Sequence, residues 1–258
     1  MSTTTTLAPP IRVNTAGVHA RPGLGRLVAV ELRKMVNTRA GFWLQVATVA
    51  LTVVAVIVRA VVGDAADHTF AAVLTVGVFP AAVLLPVVGI LLVTSEWSQR
   101  TGMITFTLVP VRSRVLGAKL LASIVLSVAT LVMVVGVVAA GVLGVGGTWS
   151  DVAPLIGQSA VYLTGGMLTG VAFGMVLLAS APAILALFAL PIAWTAVASL
   201  SFFADAAPWL DTRLALGPMP KEVMSTTQWA HAGTALALWM LLPLLIGIWR
   251  ITRREVAV

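Results

Sequence analysis

The sequence predicts an all-α membrane protein with six transmembrane helices. Apolar residues make up 59% of its 258 residues, and the mean hydropathy is +1.04. Only 10% of residues are charged. They cluster between apolar stretches of about 20 residues, the length that a helix needs to cross the hydrocarbon core. A water-soluble domain of this composition would expose large hydrophobic patches, so we expect one polytopic bundle without a sizeable soluble domain.

The N-terminal region is predicted to contain a tail and one amphipathic helix. Residues 1–25 include STTTTLAPP and lack the apolar segment of a signal peptide, so we expect a disordered cytoplasmic tail. Residues 26–258 form the predicted six-helix domain. Its first stretch, RLVAVELRKMVNTR, predicts a helix in the inner headgroup layer. Four apolar residues share one face of that helix: Val28, Leu32, Met35 and Val36.

Six apolar stretches are long enough to span the membrane. They cover residues 42–62, 71–93, 120–143, 152–178, 183–203 and 232–249. With six spans both termini share a side, and the side richer in Lys and Arg is cytoplasmic. The termini and the loop between the second and third spans carry thirteen basic residues, against three on the other side. We therefore expect a multi-pass protein of the inner or plasma membrane with both termini in the cytoplasm.

Two polar segments between spans predict further structure. Residues 204–231 are too long for a hairpin and contain GPMP, which favours short helices that re-enter the outer leaflet. Between the second and third spans, Glu96 and Arg100 are four residues apart on a short helix predicted over residues 96–108. Trp97 and Ile104 contribute to an apolar side of this helix. This segment could transmit a movement of a soluble partner to both spans, or it could be an interfacial loop that only sets the membrane topology.

The sequence gives little support for catalysis. The chain has no cysteine, no HExxH pair and no G-x-S-x-G motif, and its three histidines are scattered. We predict no metal site, and a lipid-modifying enzyme is disfavoured because no paired acid and base lie together at the headgroup level. The predicted spans contain no Asp, Glu or His for ion-coupled transport. A Walker A motif is also absent, so an energy source for transport would be another polypeptide.

Two segments resemble the permeases of type-2 ABC exporters. ELRKMVNTRAGFWL leads into the first span, and SEWSQRTGMITFTLVPVRSRVLGAKLLA joins the second span to the third. The resemblance extends over essentially the whole chain in span number, termini and the long outer segment. Family members commonly have Gly-Thr where this chain has Thr101 and Gly102. The resemblance implies a non-catalytic subunit that pairs with a second permease copy, as a homodimer or heterodimer.

The resemblance also implies partners and roles. Two nucleotide-binding subunits would hold ATP and Mg, while this chain would bind no cofactor and no nucleic acid. The helix before the first span would be the connecting helix, and residues 96–108 the coupling helix. Residues 217–224 would belong to the outer re-entrant region. The family's substrates include drugs, lipids and polysaccharide precursors, and fold analogy does not choose among them. Four residues of the coupling helix would contact the ATPase: Glu96, Trp97, Arg100 and Ile104.

Candidate residues for the translocation path lie on the first two spans. Gln45, Thr48 and Thr52 share one face of the first span with Arg59. The family is thought to use its first, second and fifth spans for the path, and Phe79 on the second span is a further candidate. The alternative is that Gln45 and the threonines bond to neighbouring helices while Arg59 extends to Asp64 or Asp67 at the outer surface.

A stripe of glycines on the fourth span predicts close helix packing. Gly166, Gly170 and Gly174 form a double G-x-x-x-G, which allows another backbone to approach, within one subunit in preference to a dimer contact. Four prolines, in the second, fifth and sixth spans, permit kinks. The leading interpretation is an exporter permease for an amphipathic substrate; the alternative is a membrane anchor or assembly subunit without transport.

Overall fold

A computed structural model describes residues 23–64, 68–98, 112–198, 200–203 and 205–253. These ranges are largely helical. The α-helices are α1 (Leu24–Asn37), α2 (Arg39–Val62), α3 (Phe70–Ser98), α4 (Arg112–Gly144), α5 (Val152–Leu177), α6 (Ser180–Ala198), α7 (Ala207–Leu210), α8 (Thr212–Leu216), α9 (Thr226–Leu236) and α10 (Leu242–Arg253). A π-helical turn, Ala237–Leu241, joins α9 to α10. Almost all of the predicted tail, residues 1–25, lies outside the described residues.

Six helices are long and apolar enough to cross a membrane, which confirms the all-α class and the predicted number of candidate spans. They are Arg39–Val62, Phe70–Glu96, Ser113–Gly144, Val152–Leu177, Ser180–Ala198 and Thr226–Thr252. Several predicted ends are wrong. The fifth span ends at Ala198 and not at residue 203, and the sixth helix starts at Thr226 and so includes His231. Capping explains the early start, because Ser225 and Gln228 form a reciprocal capping box at the N-terminus of α9.

The second span also ends later than predicted, which corrects the start of the proposed coupling helix. Helix α3 continues to Ser98, so Glu96 belongs to the helix of the second span. Its carboxylate is bound by lysines from two other helices, and these contacts stabilise this end of α3. Residues 99–111, which include most of the predicted coupling helix, lie outside the described residues.

Helix α3 lies at the centre of the bundle and contacts α2, α4 and α5. Glycines let these helices approach closely. A methyl group added at Gly77 of α3 would lie 2.7 Å from Val138 of α4, and one at Gly141 of α4 would lie 2.3 Å from Val56 of α2. By contrast, α2 and α6 are largely exposed along their length. Their apolar outer faces are suited to contact lipid or another membrane protein.

Helix α1 packs its apolar face on the bundle. Met35 is buried, and Val28 and Leu32 pack against the same core, whereas Val36 is exposed. The prediction that Val36 belongs to the buried apolar face is therefore wrong. The second buried residue of α1 is Glu31, one turn before Met35. A charged residue on this face requires partners, which the neighbouring helices supply.

The predicted prolines affect the spans differently. Helix α3 is continuous through Pro80 and Pro86, and α6 is continuous through Pro191. In the last span, the π-helical turn Ala237–Leu241 lies just before Pro243. Since proline lacks an amide hydrogen, a local change of helical hydrogen bonding at this point is expected.

Candidate functional site

The most polar buried feature of the described chain is a cluster of four charged side chains where α1, α3 and α4 meet. Glu31 and Lys34 come from α1, Glu96 from the last turns of α3, and Lys119 from the second turn of α4. We call these four residues the charge cluster. It lies at the end of the bundle that carries α1, and it connects the two helices that flank residues 99–111.

Each lysine of the charge cluster binds both carboxylates. Lys119 Nζ lies 2.7 Å from Glu31 Oε2 and 2.8 Å from Glu96 Oε1. Lys34 Nζ lies 2.8 Å from Glu31 Oε1 and 2.7 Å from Glu96 Oε1. Lys119 is also within 3.4 Å of the backbone carbonyl oxygen of Leu92. The charges of the four side chains balance, which is the condition under which ionised groups are retained away from water.

The members of the charge cluster differ in exposure. The side chains of Lys119 and Glu31 are 4% and 6% exposed, whereas that of Lys34 is 37% exposed. Burial alone would lower the pKa of Lys34, but hydrogen bonds and attraction from Glu31 and Glu96 outweigh it and raise this pKa above its usual value. Lys34 therefore stays protonated at neutral pH and keeps α1 attached to α3.

Sequence reasoning found only one member of this cluster as a site residue. It paired Glu96 with Arg100, four residues later, because both were assigned to one helix. In the structure Glu96 binds two lysines that are 62 and 23 positions away in the sequence. A signal for Glu31 was available, because it is an acidic residue one turn before Met35 on an apolar face.

The other predicted coupling residues fall largely outside the described part of the chain. Trp97 belongs to α3, but its side chain is outside the described part. Arg100 and Ile104 lie wholly outside the described residues. Their contact with an ATPase stays a prediction.

The candidate path residues do not share one environment. Thr48 and Thr52 are buried on the face of α2 that packs against its neighbours. The Thr48 hydroxyl donates to Leu44 O in its own helix, and the Thr52 hydroxyl donates to Gly77 O of α3 at 3.2 Å. These contacts fit helix packing, the alternative that the sequence left open. The side-chain amide nitrogen of Gln45 is buried and has no hydrogen-bond partner among the described residues.

Phe79, the fourth path candidate, is 66% exposed. It lines a cavity of about 490 Å³ between α3, α5, α6 and the last span. The short helix α8 covers the cavity at the end of the bundle opposite the charge cluster. The cavity, unlike the threonines of α2, offers space for a ligand within one chain.

The glycine stripe of α5 lies against α3 of the same chain. A methyl group added at Gly170 would be 1.9 Å from Pro86 O, and one at Gly174 would be 3.2 Å from Ile90 O. Gly166 has more room, because its added methyl would be 3.5 Å from the Pro86 ring. Gly170 is therefore the position that requires a glycine most.

A second network, which the sequence did not reveal, fixes the segment before the last span. The buried amide of Gln158 on α5 donates to Met219 O and Glu222 O, and its oxygen accepts from the backbone N–H of Met224. The Thr75 hydroxyl of α3 donates to Pro220 O. These bonds hold residues 219–224 over the ends of α3 and α5.

Together these features define a membrane-embedded helical protein with six candidate spans, a neutral charge cluster at one end and a covered cavity toward the other. No family model matches the chain, and a search of curated proteins finds no similar sequence.

Proposed function

We propose that this chain is the permease subunit of an ATP-driven ABC exporter, with both termini in the cytoplasm of a cell's inner or plasma membrane. It pairs with a second permease copy, and two ATPase subunits with ATP and Mg bind beneath. Its own residues carry out no catalysis. The proposal starts from the resemblance of residues 31–44 and 95–122 to exporter permeases. The distribution of basic residues supports the same orientation.

The observation that carries the proposal is the charge cluster. It binds α1, α3 and α4 to one another next to the polar segment of residues 99–111. A displacement of that segment by a docked ATPase would move the three helix ends together, because each buried lysine contact links different helices. A subunit that only anchored a partner would not need its second and third spans attached to α1 in this way.

The state of Glu96 also favours an external energy source. Carriers driven by protons or sodium use membrane carboxylates that exchange their ligand during transport. Glu96 accepts hydrogen bonds from two lysines, so its charge is already compensated. A separate ATPase is therefore proposed as the source of energy.

Co-purification and transport test this proposal. A Walker A ATPase encoded beside this chain should co-purify with it, and the chain alone should hydrolyse no ATP. Trp97→Ala should weaken that association or uncouple hydrolysis from transport, because a buried aromatic anchor contributes about 2 kcal/mol or more at an interface. Trp43→Ala is the matched control, since Trp43 is 65% exposed on α2.

Two results would contradict the proposal. One is robust ATP hydrolysis by the isolated chain, free of contaminants. The other is normal assembly and normal export by the Trp97→Ala, Glu96→Ala double variant. That result would mean that residues 96–108 only set the membrane topology.

Within this function we assign the path to Phe79 in preference to Thr48 and Thr52. Phe79 is exposed and lines the cavity, whereas both threonines are engaged in packing. Phe79→Ala should change the order of preference among amphipathic substrates at unchanged expression. Thr48→Val, Thr52→Val should leave that order unchanged, and a shift in the double threonine variant alone would reverse this assignment.

A further inference from the structure

The cavity under α8 has the size and lining of a binding site for an amphiphile. Its volume of about 490 Å³ falls within the usual range of small-molecule sites. Aromatic rings from four helices form much of its wall: Phe79, Tyr162, Phe173, Phe188 and Trp239. Tyr162 and Phe173 are eleven residues apart on α5, which corresponds to about 16 Å along a helix axis. The space is therefore elongated along the bundle and suits an alkyl chain.

The cavity opens on the side of the bundle where lipid would lie. Three of its lining residues are exposed on that outer surface: Phe79 at 66%, Phe188 at 39% and Ile192 at 71%. A ligand dissolved in the bilayer could reach the cavity laterally between α3 and α6. No passage through the aqueous ends of the bundle is required.

The charged group of the lining lies at one end. Thr212 and Arg213 belong to α8, beyond the ends of the spans, and both line the cavity. Among the described residues, the Arg213 guanidinium forms no ion pair. The nearby carboxylate of Asp211 is engaged elsewhere, because it accepts from the Thr195 hydroxyl and from the backbone N–H of Arg213.

The backbone of Arg213 is positioned by contacts of α7 and α8 with the spans. Asp211 caps the N-terminus of α8 and is held by Thr195 of α6 at 2.9 Å. The Trp239 indole N–H donates to Leu210 O at 2.8 Å, and the same ring lines the cavity. The segment that carries Arg213 is thus attached to two walls of the cavity. This favours a defined position of residue 213 relative to the apolar space.

We propose that this cavity binds a single-chain anionic amphiphile, with its alkyl chain among the aromatic rings and its carboxylate or phosphate at Arg213. An anionic head group fits because the Arg213 guanidinium is the charged hydrogen-bond donor of the lining and offers paired N–H groups to such an oxyanion. This cavity is the one to which the path was assigned above, so the proposal names a ligand class for that site and in its transport role rests on the proposed function. Binding itself is a property of one chain and is tested without the ATPase.

A photoreactive fatty acid with a diazirine in its chain tests the proposal, and its methyl ester is the matched uncharged probe. Both are applied to the purified full chain in phosphatidylcholine nanodiscs. The labelled residues are then mapped by mass spectrometry. The acid should label α3, α5 and α6 at cavity positions, and it should bind about tenfold tighter than the ester, as expected for one charge-assisted contact.

Variants at two positions separate the contribution of the charge from that of the apolar space. Arg213→Gln should bring binding of the acid down to that of the ester. Arg213→Lys keeps the charge but not the paired N–H groups, so it should retain part of the difference. Gly166→Leu places a side chain in the cavity and should lower binding of both probes about tenfold or more. Gly136→Leu is the matched control, because Gly136 is exposed on α4 with open space at its Cβ.

Two results would overturn the proposal: equal binding of acid and ester to the unchanged chain, or unaltered binding to a folded Gly166→Leu variant. If Gly166→Leu does not fold, Arg213→Gln decides, because residue 213 lies outside the spans. The assay contains no ATPase, so its failure and a failure of ATPase association are distinguishable.

Discussion

Among single residues, Lys119 contributes most to the charge cluster. Its side chain is 4% exposed and binds both carboxylates, whereas Lys34 makes the equivalent contacts with 37% of its side chain exposed. Removal of Lys119 leaves two carboxylates with one partly hydrated cation. Removal of Lys34 leaves the buried contacts of Lys119 in place.

We therefore predict that Lys119→Met lowers the free energy of unfolding by about 3 kcal/mol or more, the range for breaking a buried ion pair. Lys34→Met should lower it by about 1 kcal/mol, as for a more exposed pair. Unfolding in mixed micelles measures both. Glu31→Gln added to Lys119→Met should recover part of the loss. Equal effects of the two lysine variants would show that burial does not set the strength of these contacts.

Gly170 provides a second prediction at the scale of one residue. Gly170→Ala places a methyl group against Pro86 O and should lower the free energy of unfolding by about 1–3 kcal/mol, as overpacking does. Gly136→Ala is the control, because its Cβ has open space and alanine is the better helix former. Thermal melts of the two purified variants provide the comparison, and a Gly170→Ala melt equal to that of the control would contradict the close contact of α5 with α3.

Between elements, Gln158 connects α5 to the segment before α9. Gln158→Leu keeps much of the volume and removes three hydrogen bonds, and it leaves the carbonyls of Met219 and Glu222 without that donor. Hydrogen exchange at the Met224 amide should accelerate at least about tenfold, since one lost bond is about 1 kcal/mol and the loop loses three. Exchange in α4 should not change. Unaltered exchange at Met224 would mean that the segment is held by other contacts.

The attachment of α1 to the bundle should depend on alkaline pH through Lys34. Its pKa in the folded protein is raised above the usual 10.5. Stabilisation by such a group is complete below its unfolded-state pKa and is lost as the pH rises through the folded-state pKa. Lys34 should therefore contribute no pH dependence to the melting temperature between pH 6 and 9. Above about pH 10.5 the melting temperature should fall as Lys34 loses its proton.

Comparison with Lys34→Gln isolates this effect from other alkaline changes. The variant should melt lower at pH 8 and converge with the unchanged protein above the folded-state pKa of Lys34. Parallel curves over the whole range would exclude the titration of Lys34 as the cause.

For the whole molecule, the arrangement of six spans makes orientation testable with cysteine labelling, because the chain contains no cysteine. Gln99→Cys should react with an impermeant maleimide only after the membrane is opened, whereas Asp151→Cys and Lys221→Cys should react in intact cells. Both outer positions are exposed. Asp211 is unsuitable because it is buried. Labelling of Gln99→Cys from outside would invert the orientation.

The sequence by itself determined the fold class and the number of spans. Hydrophobicity over about 20 residues is a local property that the bilayer imposes on each helix separately, so it can be read without knowledge of neighbours. The face shared by Thr48 and Thr52 could also be predicted, because the helical repeat fixes it.

Only the tertiary structure decided which faces meet. Glu96 was assigned to a surface helix because its nearest opposite charge in the sequence was Arg100, whereas its partners are Lys34 and Lys119. The contacts of Gln158 with residues 219–224 and the enclosure of the cavity by α8 are equally non-local. Such contacts depend on the relative rotation and depth of helices. A single sequence does not contain these quantities, because any polar side chain on a span can satisfy its bonds with several different neighbours.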